Sequence, residues 1–111
     1  MGVYRRDYII YGWNLPYDLK GVDWYDDKFL PLIEGHEGED FALILDGMAG
    51  VYAVFGLLIQ EADEDEGWDF QNLNIPYLNS EEVKKKYIEV FGLESNTELA
   101  EPNLFIFTHF S

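Results

Sequence analysis

The sequence predicts a small α+β domain with elements in the order βαββαβ, and three observations lead to it. Two mostly apolar runs, Phe41 to Leu45 and Val51 to Ile59, flank Asp46-Gly47-Met48-Ala49-Gly50, the pattern of a hairpin whose strands are buried on both faces. Ser80 to Gly92 carries the end signals and the apolar stripe of a helix. Segments rich in aromatic and β-branched residues, Asp7 to Trp13 and Leu104 to Phe110, supply two further strands. This order fits the split βαβ, or ferredoxin-like, plan, in which two helices cover one face of a four-stranded antiparallel sheet. A curved antiparallel sheet with one main helix and a meander is the alternative. The chain has 111 residues, 48% of them hydrophobic and 17% aromatic, which suits one domain spanning 1–111. At this size folding buries roughly 65% of the unfolded chain's surface.

Each element has its own warrant. Asp7-Tyr8-Ile9-Ile10-Tyr11-Gly12-Trp13 reads as a strand ended by the turn Asn14-Leu15-Pro16. Asp23 is placed to cap a short helix with Trp24, Phe29, Leu32 and Ile33 as its apolar stripe, and Asp26 and Asp27 favour its positive end. Pro31 removes a helical hydrogen bond and splits that helix into short pieces. Gly35 and Gly38 then open a loop. In the hairpin, Gly47 and Gly50 accommodate positive φ, and Gly56 marks a bulge or a close backbone approach. Gln60 to Asp69 is a polar, acidic excursion pinned back by Trp68 and Phe70. Ser80 caps the second helix, Glu81 and Glu82 occupy its first turn, and Val83, Tyr87, Val90 and Phe91 face inward before Gly92 and Leu93 end it. Glu94 to Pro102 is a loop before the last strand.

Composition narrows the functional classes. There are 22 Asp plus Glu against 7 Lys plus Arg, a formal charge of -15, and no cysteine. Disulfides, thiolate nucleophiles and sulfur-ligated metal sites are therefore excluded. Such charge suits a disordered acidic chain, yet 8 Tyr, 8 Phe and 3 Trp argue for a folded one. No apolar stretch approaches membrane-spanning length, and a cytoplasmic protein is expected. Charge is also unevenly placed: between Lys28 and Lys84 there is no Lys or Arg, and thirteen acids fill the interval. The bases gather at Arg5-Arg6 and Lys84-Lys85-Lys86. One side of the fold is thus expected to be strongly negative.

The run Glu61-Ala62-Asp63-Glu64-Asp65-Glu66, followed by Trp68 and Asp69, is the candidate site. Carboxylates at this density repel one another and are tolerated only in solvent or opposite a cationic partner. Calcium would use Asp63, Asp65 and Asp69, but counting from Asp63 puts Gly67 at the fifth position instead of the sixth and Asn74 instead of Glu at the twelfth. No metal or cofactor is expected. His36, in Glu34-Gly35-His36-Glu37, lacks a metalloprotease pattern, and His109 edges the core. Carboxylate pairs such as Asp26-Asp27 and Glu39-Asp40 arise by chance among 22 acids, and no catalytic residue is assigned. Direct nucleic-acid binding is opposed by the charge. Its inverse is the expectation: carboxylates, with aromatics such as Trp13, Tyr17, Trp24, Tyr25 and Trp68 between them, occupying the basic groove of a nucleic-acid-binding protein.

The segments Asp7-Tyr8-Ile9-Ile10-Tyr11-Gly12, Phe29-Leu30-Pro31-Leu32-Ile33-Glu34-Gly35-His36 and Asp46-Gly47-Met48-Ala49-Gly50-Val51-Tyr52 resemble small acidic bacteriophage proteins. That resemblance implies a non-enzymatic inhibitor of host machinery, such as an anti-CRISPR or anti-restriction protein that imitates DNA, acting in the cytoplasm of a bacterial host. Partner-binding residues are then Glu61, Asp63, Glu64, Asp65, Glu66, Trp68 and Asp69. Two alternatives stand beside it: a homo-oligomeric sponge for a nucleotide signal, and an accessory phage structural component.

Overall fold

Strand β1, Arg5–Pro16, pairs with a neighbour on each side, over residues 6–16 on one and 5–12 on the other, and it organises the sheet. In the computed structural model, which describes residues 5–33, 40–46, 49–63 and 77–110, β1 is followed by a 3-10 helix at Asp27–Leu32, β2 at Phe41–Leu45, β3 at Tyr52–Asp63, helix α1 at Ser80–Phe91 and β4 at Asn103–Phe110. The sheet order is β2-β3-β1-β4, and every neighbouring pair is antiparallel. Hence β1 and β2 run parallel with β3 between them, and β3 and β4 run parallel with β1 between them. Two interleaved units of this kind are the split βαβ plan. Curvature and a single main helix, the features of the alternative, are present as well.

The helix-side face is built from alternate strand residues. Trp13, Leu43, Ala53 and Phe55 meet Val83 and Tyr87 of α1, and Trp24, Phe29 and Leu32 of the turn and 3-10 helix. Phe55 lies at its centre, with ring centroids 5.7 Å from Tyr87, 5.5 Å from Phe91 and 6.1 Å from Phe41. Edge-to-face and offset ring pairs of this kind add about 0.5–1.5 kcal/mol each beyond burial. Helix α1 is capped by Asn79, whose side chain accepts from the N–H groups of Glu81 and Glu82 at 3.0 and 3.4 Å. The expected cap, Ser80, is instead the first helical residue. Gly92 closes the helix in the left-handed conformation, and the Leu93 N–H donates to the Ile88 carbonyl.

The first helix departs further from expectation. Pro31 confines it to six residues of 3-10 helix, and Asp26 is its cap, accepting from the Lys28 N–H at 3.1 Å. Asp23 instead folds a preceding turn by accepting from the Tyr25 N–H. The two largest remaining differences lengthen strands: β1 runs on through Asn14-Leu15-Pro16, and β3 continues past Ile59 to Asp63, because Gln60 to Asp63 find partners in Ile9 to Arg6. Of the two hairpin glycines, Gly50 has φ +67°, and Gly47 lies outside the described residues.

The opposite face is also apolar, with Tyr8, Ile10, Ala42, Ile44 and Val54 buried beside Tyr52, Leu58 and Phe107. No described helix covers it, and the sheet curls over itself instead. Tyr52 stands opposite Pro16 on β1, and His109 opposite Arg6. Ten residues of flat strand would hold those positions roughly 33 Å apart. Their side chains nevertheless hydrogen-bond, Tyr52 Oη to His109 Nδ1 at 2.8 Å. Two devices permit this curl. A bulge between Ile9 and Ile10 raises the local twist. Just beyond it, Gly12 faces Gly56 on the concave side, where a Cβ built on Gly12 would lie 2.6 Å from the Gly56 Cα. Gly56 is thus the close backbone approach expected of it.

Gly12→Ala and Gly56→Ala are each expected to cost more than about 3 kcal/mol or to prevent folding, because the obstacle is backbone that cannot step aside. Gly92→Ala, at φ +67° with open space around it, is expected to cost only about 1 kcal/mol. Urea unfolding followed by tryptophan fluorescence separates these outcomes.

Candidate functional site

The acidic run begins inside the sheet. Glu61 and Asp63 occupy the last residues of β3, in register with Tyr8 and Arg6 of β1. The exposed Glu61 carboxylate pairs with Arg6, Nη1 to Oε2 at 3.8 Å. So open an ion pair contributes less than about 1 kcal/mol, and it leaves most of the local negative charge in place. Glu64, Asp65, Glu66, Trp68 and Asp69 lie outside the described residues. The structure therefore positions the start of the run, on the paired end of β3.

A second acidic surface, not singled out from the sequence, is formed by residues 17–27. After Pro16 ends β1, the Leu19 N–H donates to the Pro16 carbonyl and the Val22 N–H to the Leu19 carbonyl, folding consecutive turns. Trp24 anchors them: its ring is buried against Phe29 and Phe91, and its Nε1–H donates to the Tyr17 carbonyl at 2.6 Å. With Trp24 turned in, Tyr25 is turned out and is 71% exposed. Asp18, Asp23, Asp26 and Asp27 in the same segment are exposed, as is Lys20. The Tyr25 and Tyr17 hydroxyls lie 3.0 Å apart, and this hydrogen bond, then burial and neighbouring charge, raises the Tyr17 pKa. Of the aromatics expected to line a binding surface, Trp13 and Trp24 are instead core residues. Burial explains this: each indole N–H reaches a backbone carbonyl from within the apolar layer, Trp13 finding Ala100 at 2.9 Å.

Two acids are withdrawn from the surface by structural duties. Asp46 is buried in the hairpin loop, where it accepts from the Ala49 and Val51 N–H groups at 3.1 and 2.9 Å. Asp7 is buried where it accepts from the Thr108 hydroxyl at 2.6 Å. Several of the cations are engaged too. Lys84 bonds Glu101 at 2.7 Å and lies 3.9 Å from Glu81, while Lys28 and Lys86 sit over the rings of Phe29 and Phe41. Lys28 and Lys86 also flank a groove of about 330 Å³ between the 3-10 helix and α1, in which Glu89 stands beside them.

Neither carboxylate pair considered for catalysis forms a paired site among the described residues. Asp26 is a helix cap, Asp40 is exposed, and Glu39 and His36 lie outside the described residues. His109 is buried on the concave face, hydrogen-bonded to Tyr52. Among the described residues, no three His, Asp or Glu side chains gather as a metal-holding group. None of the described helices is long and apolar enough to cross a membrane.

Burial raises the pKa of Tyr87, and burial together with the Asp46 charge raises that of Tyr52; the Glu101 hydrogen bond, outweighing desolvation, raises that of Lys84. In all three the folded state holds its proton more tightly than the unfolded chain. Their contribution is complete below the ordinary values of 10.0 for Tyr and 10.5 for Lys and is lost as pH rises through the folded-state values. The urea midpoint is thus expected to fall steeply above about pH 10, and less steeply in Tyr87→Phe, which has no phenol to ionise. No family model, curated protein or solved structure matches the chain.

Proposed function

We propose that this chain is a non-enzymatic interaction protein that takes the place of nucleic acid on a basic bacterial partner, its carboxylates standing where phosphates would bind. The observation that carries this reading is segment 17–27, where four exposed carboxylates, against the one exposed Lys20, share turns anchored by a buried tryptophan with an exposed tyrosine. Carboxylates on ordered backbone resemble a phosphate array more closely than a solvated tail does, and Tyr25 offers the apolar anchor that a desolvated contact needs. The acids from Glu61 to Asp69, with Trp68, supply the second patch. The partner's Lys and Arg would be drawn in by a field that salt screens over about 10 Å. Such a protein suits a bacteriophage product acting inside a bacterial host against a defence protein, in the manner of anti-CRISPR and anti-restriction inhibitors. The sponge reading rests on the groove flanked by Lys28 and Lys86, although the Glu89 carboxylate opposes an anion there. Protection of the melting temperature by an anionic nucleotide, with no protein partner found, would favour it.

Affinity capture from bacterial lysate, at low and high salt and with competing duplex DNA, tests the proposal. Capture of a DNA- or RNA-binding protein that salt or DNA abolishes is the expected result; no capture under any condition overturns it. The double substitutions Asp18→Lys with Asp27→Lys, and Glu61→Lys with Asp63→Lys, then assign the surface. Asp23 and Asp26 are left intact because each bonds backbone N–H groups and its loss would cost about 1 kcal/mol of stability. Binding at least tenfold weaker in either double variant, with unchanged melting, is expected.

A further inference from the structure

Three described cavities border α1, and each is lined by lysines together with carboxylates: Lys85 and Lys86 with Asp40 and Glu82, Lys28 and Lys86 with Glu89, and Lys84 and Lys85 with Glu81. A fourth, of about 140 Å³, opens on the concave face of the sheet between Asn14, Tyr52, Val54, Phe105, Phe107 and Thr108, and no charged side chain lines it. The curl creates this cup. Strands β3 and β4 are separated by β1 in the sheet, yet Tyr52 of β3 meets Phe107 of β4 with ring centroids 6.1 Å apart and planes at 74°, forming two adjoining aromatic walls. Phe105 lies two residues before Phe107, on the same face of β4, and both are half-buried. Val54 is buried at 4% exposure, and Asn14 stands exposed at the rim.

We propose that this cup binds a small quaternary ammonium compound of the choline class, its N-methyl groups held against the rings of Tyr52, Phe105 and Phe107. Size, charge and hydrogen bonding select that chemistry. A cavity of roughly 150 Å³ takes up benzene, and a trimethylammonium group is of comparable bulk. Aromatic rings attract a cation through their negative faces. The surrounding field has the complementary sign, because the chain carries a formal charge of -15 and no Lys or Arg lines the cup. Burial and then the Asp46 charge raise the Tyr52 pKa, so a carboxylate's field reaches this wall. The same field opposes phosphate or carboxylate derivatives. Few polar groups are at hand: the Tyr52 hydroxyl is bonded to His109, and the Thr108 hydroxyl donates to Asp7. A primary ammonium would bring N–H donors into the cup with little to accept them, whereas a quaternary one brings none. The Asn14 amide at the rim is placed to meet the hydroxyl of choline.

The test is an NMR titration of the full chain with choline and, separately, with 3,3-dimethylbutan-1-ol, its uncharged isostere. Choline is expected to bind about fivefold more tightly than the isostere, and the gap to narrow at high salt. Phe105→Leu, which keeps an apolar side chain but removes a ring, is expected to abolish most of that preference with unchanged far-ultraviolet circular dichroism. Asn14→Asp, which adds a carboxylate at the exposed rim, is expected to tighten choline and not the isostere. In the unsubstituted protein, nuclear Overhauser contacts are expected from the N-methyl protons of choline to the ring protons of Phe105 and Phe107, a readout that does not depend on how the variants fold. Absence of choline binding, equal binding of the isostere, or contacts from the N-methyl protons only to residues elsewhere would each overturn the proposal. The titration contains no protein partner, so its outcome is independent of the capture experiment.

Discussion

The approach of Gly12 to Gly56 is the constraint on which the rest of the structure depends. The described helices pack on one face of the four-stranded sheet, and the other face carries Tyr8, Ile10, Ala42, Ile44 and Val54. Curling the sheet until Tyr52 meets His109 buries those residues without a further layer of helices among the described residues. The curl requires the inner surface at the bend to be empty, and two facing glycines empty it. Bulge and glycine pair act together, one turning the strand and the other removing what would resist the turn.

The curl also governs the distribution of polar groups. Buried Asp46 and Asp7 are tied to the hairpin loop and to Thr108, and in each case the hydrogen bonds offset the cost of removing a carboxylate from water. The other acids seen in the structure are left outside, while Lys28 and Lys86 lie along rings and Lys84 against Glu101. A strongly negative exterior is thus a property of the folded surface as well as of the composition. Arg6 and Lys84 reduce it locally, at Glu61 and Glu101.

Features governed by nearby residues were legible in the sequence. The helix ending at Gly92 and the hairpin through Asp46 both depend on contacts a few residues apart, and both stand as expected apart from the one-residue shift of the cap to Asn79. What depends on distant partners was not legible. Gly56 announced a close approach, but nothing local named Gly12 as its counterpart across two strands. Gln60 to Asp63 read as polar loop because their own residues disfavour a strand, and pairing with Arg6 to Ile9 overrides that preference. At the candidate site, Trp24 read both as part of an apolar stripe and, with Tyr25, as a surface aromatic. Its packing on Phe29 and Phe91 and its hydrogen bond to the Tyr17 carbonyl bury it, while Tyr25 faces solvent.

Interleaving the two strand-crossover-strand units has a consequence for how the chain is made. Strand β1 contacts β4 along its N-terminal part, with Arg5 opposite Phe110, so the sheet is sewn together by pairings between residues more than a hundred positions apart. Contacts that distant close late and slowly, since the entropy of a long loop is lost before the pairing repays it. During synthesis on the ribosome, β1 and the β2-β3 hairpin emerge well before β4 does. The nascent chain therefore exposes the flank of β1 that β4 will occupy, and the interval before β4 arrives is when chaperones have the most to shield.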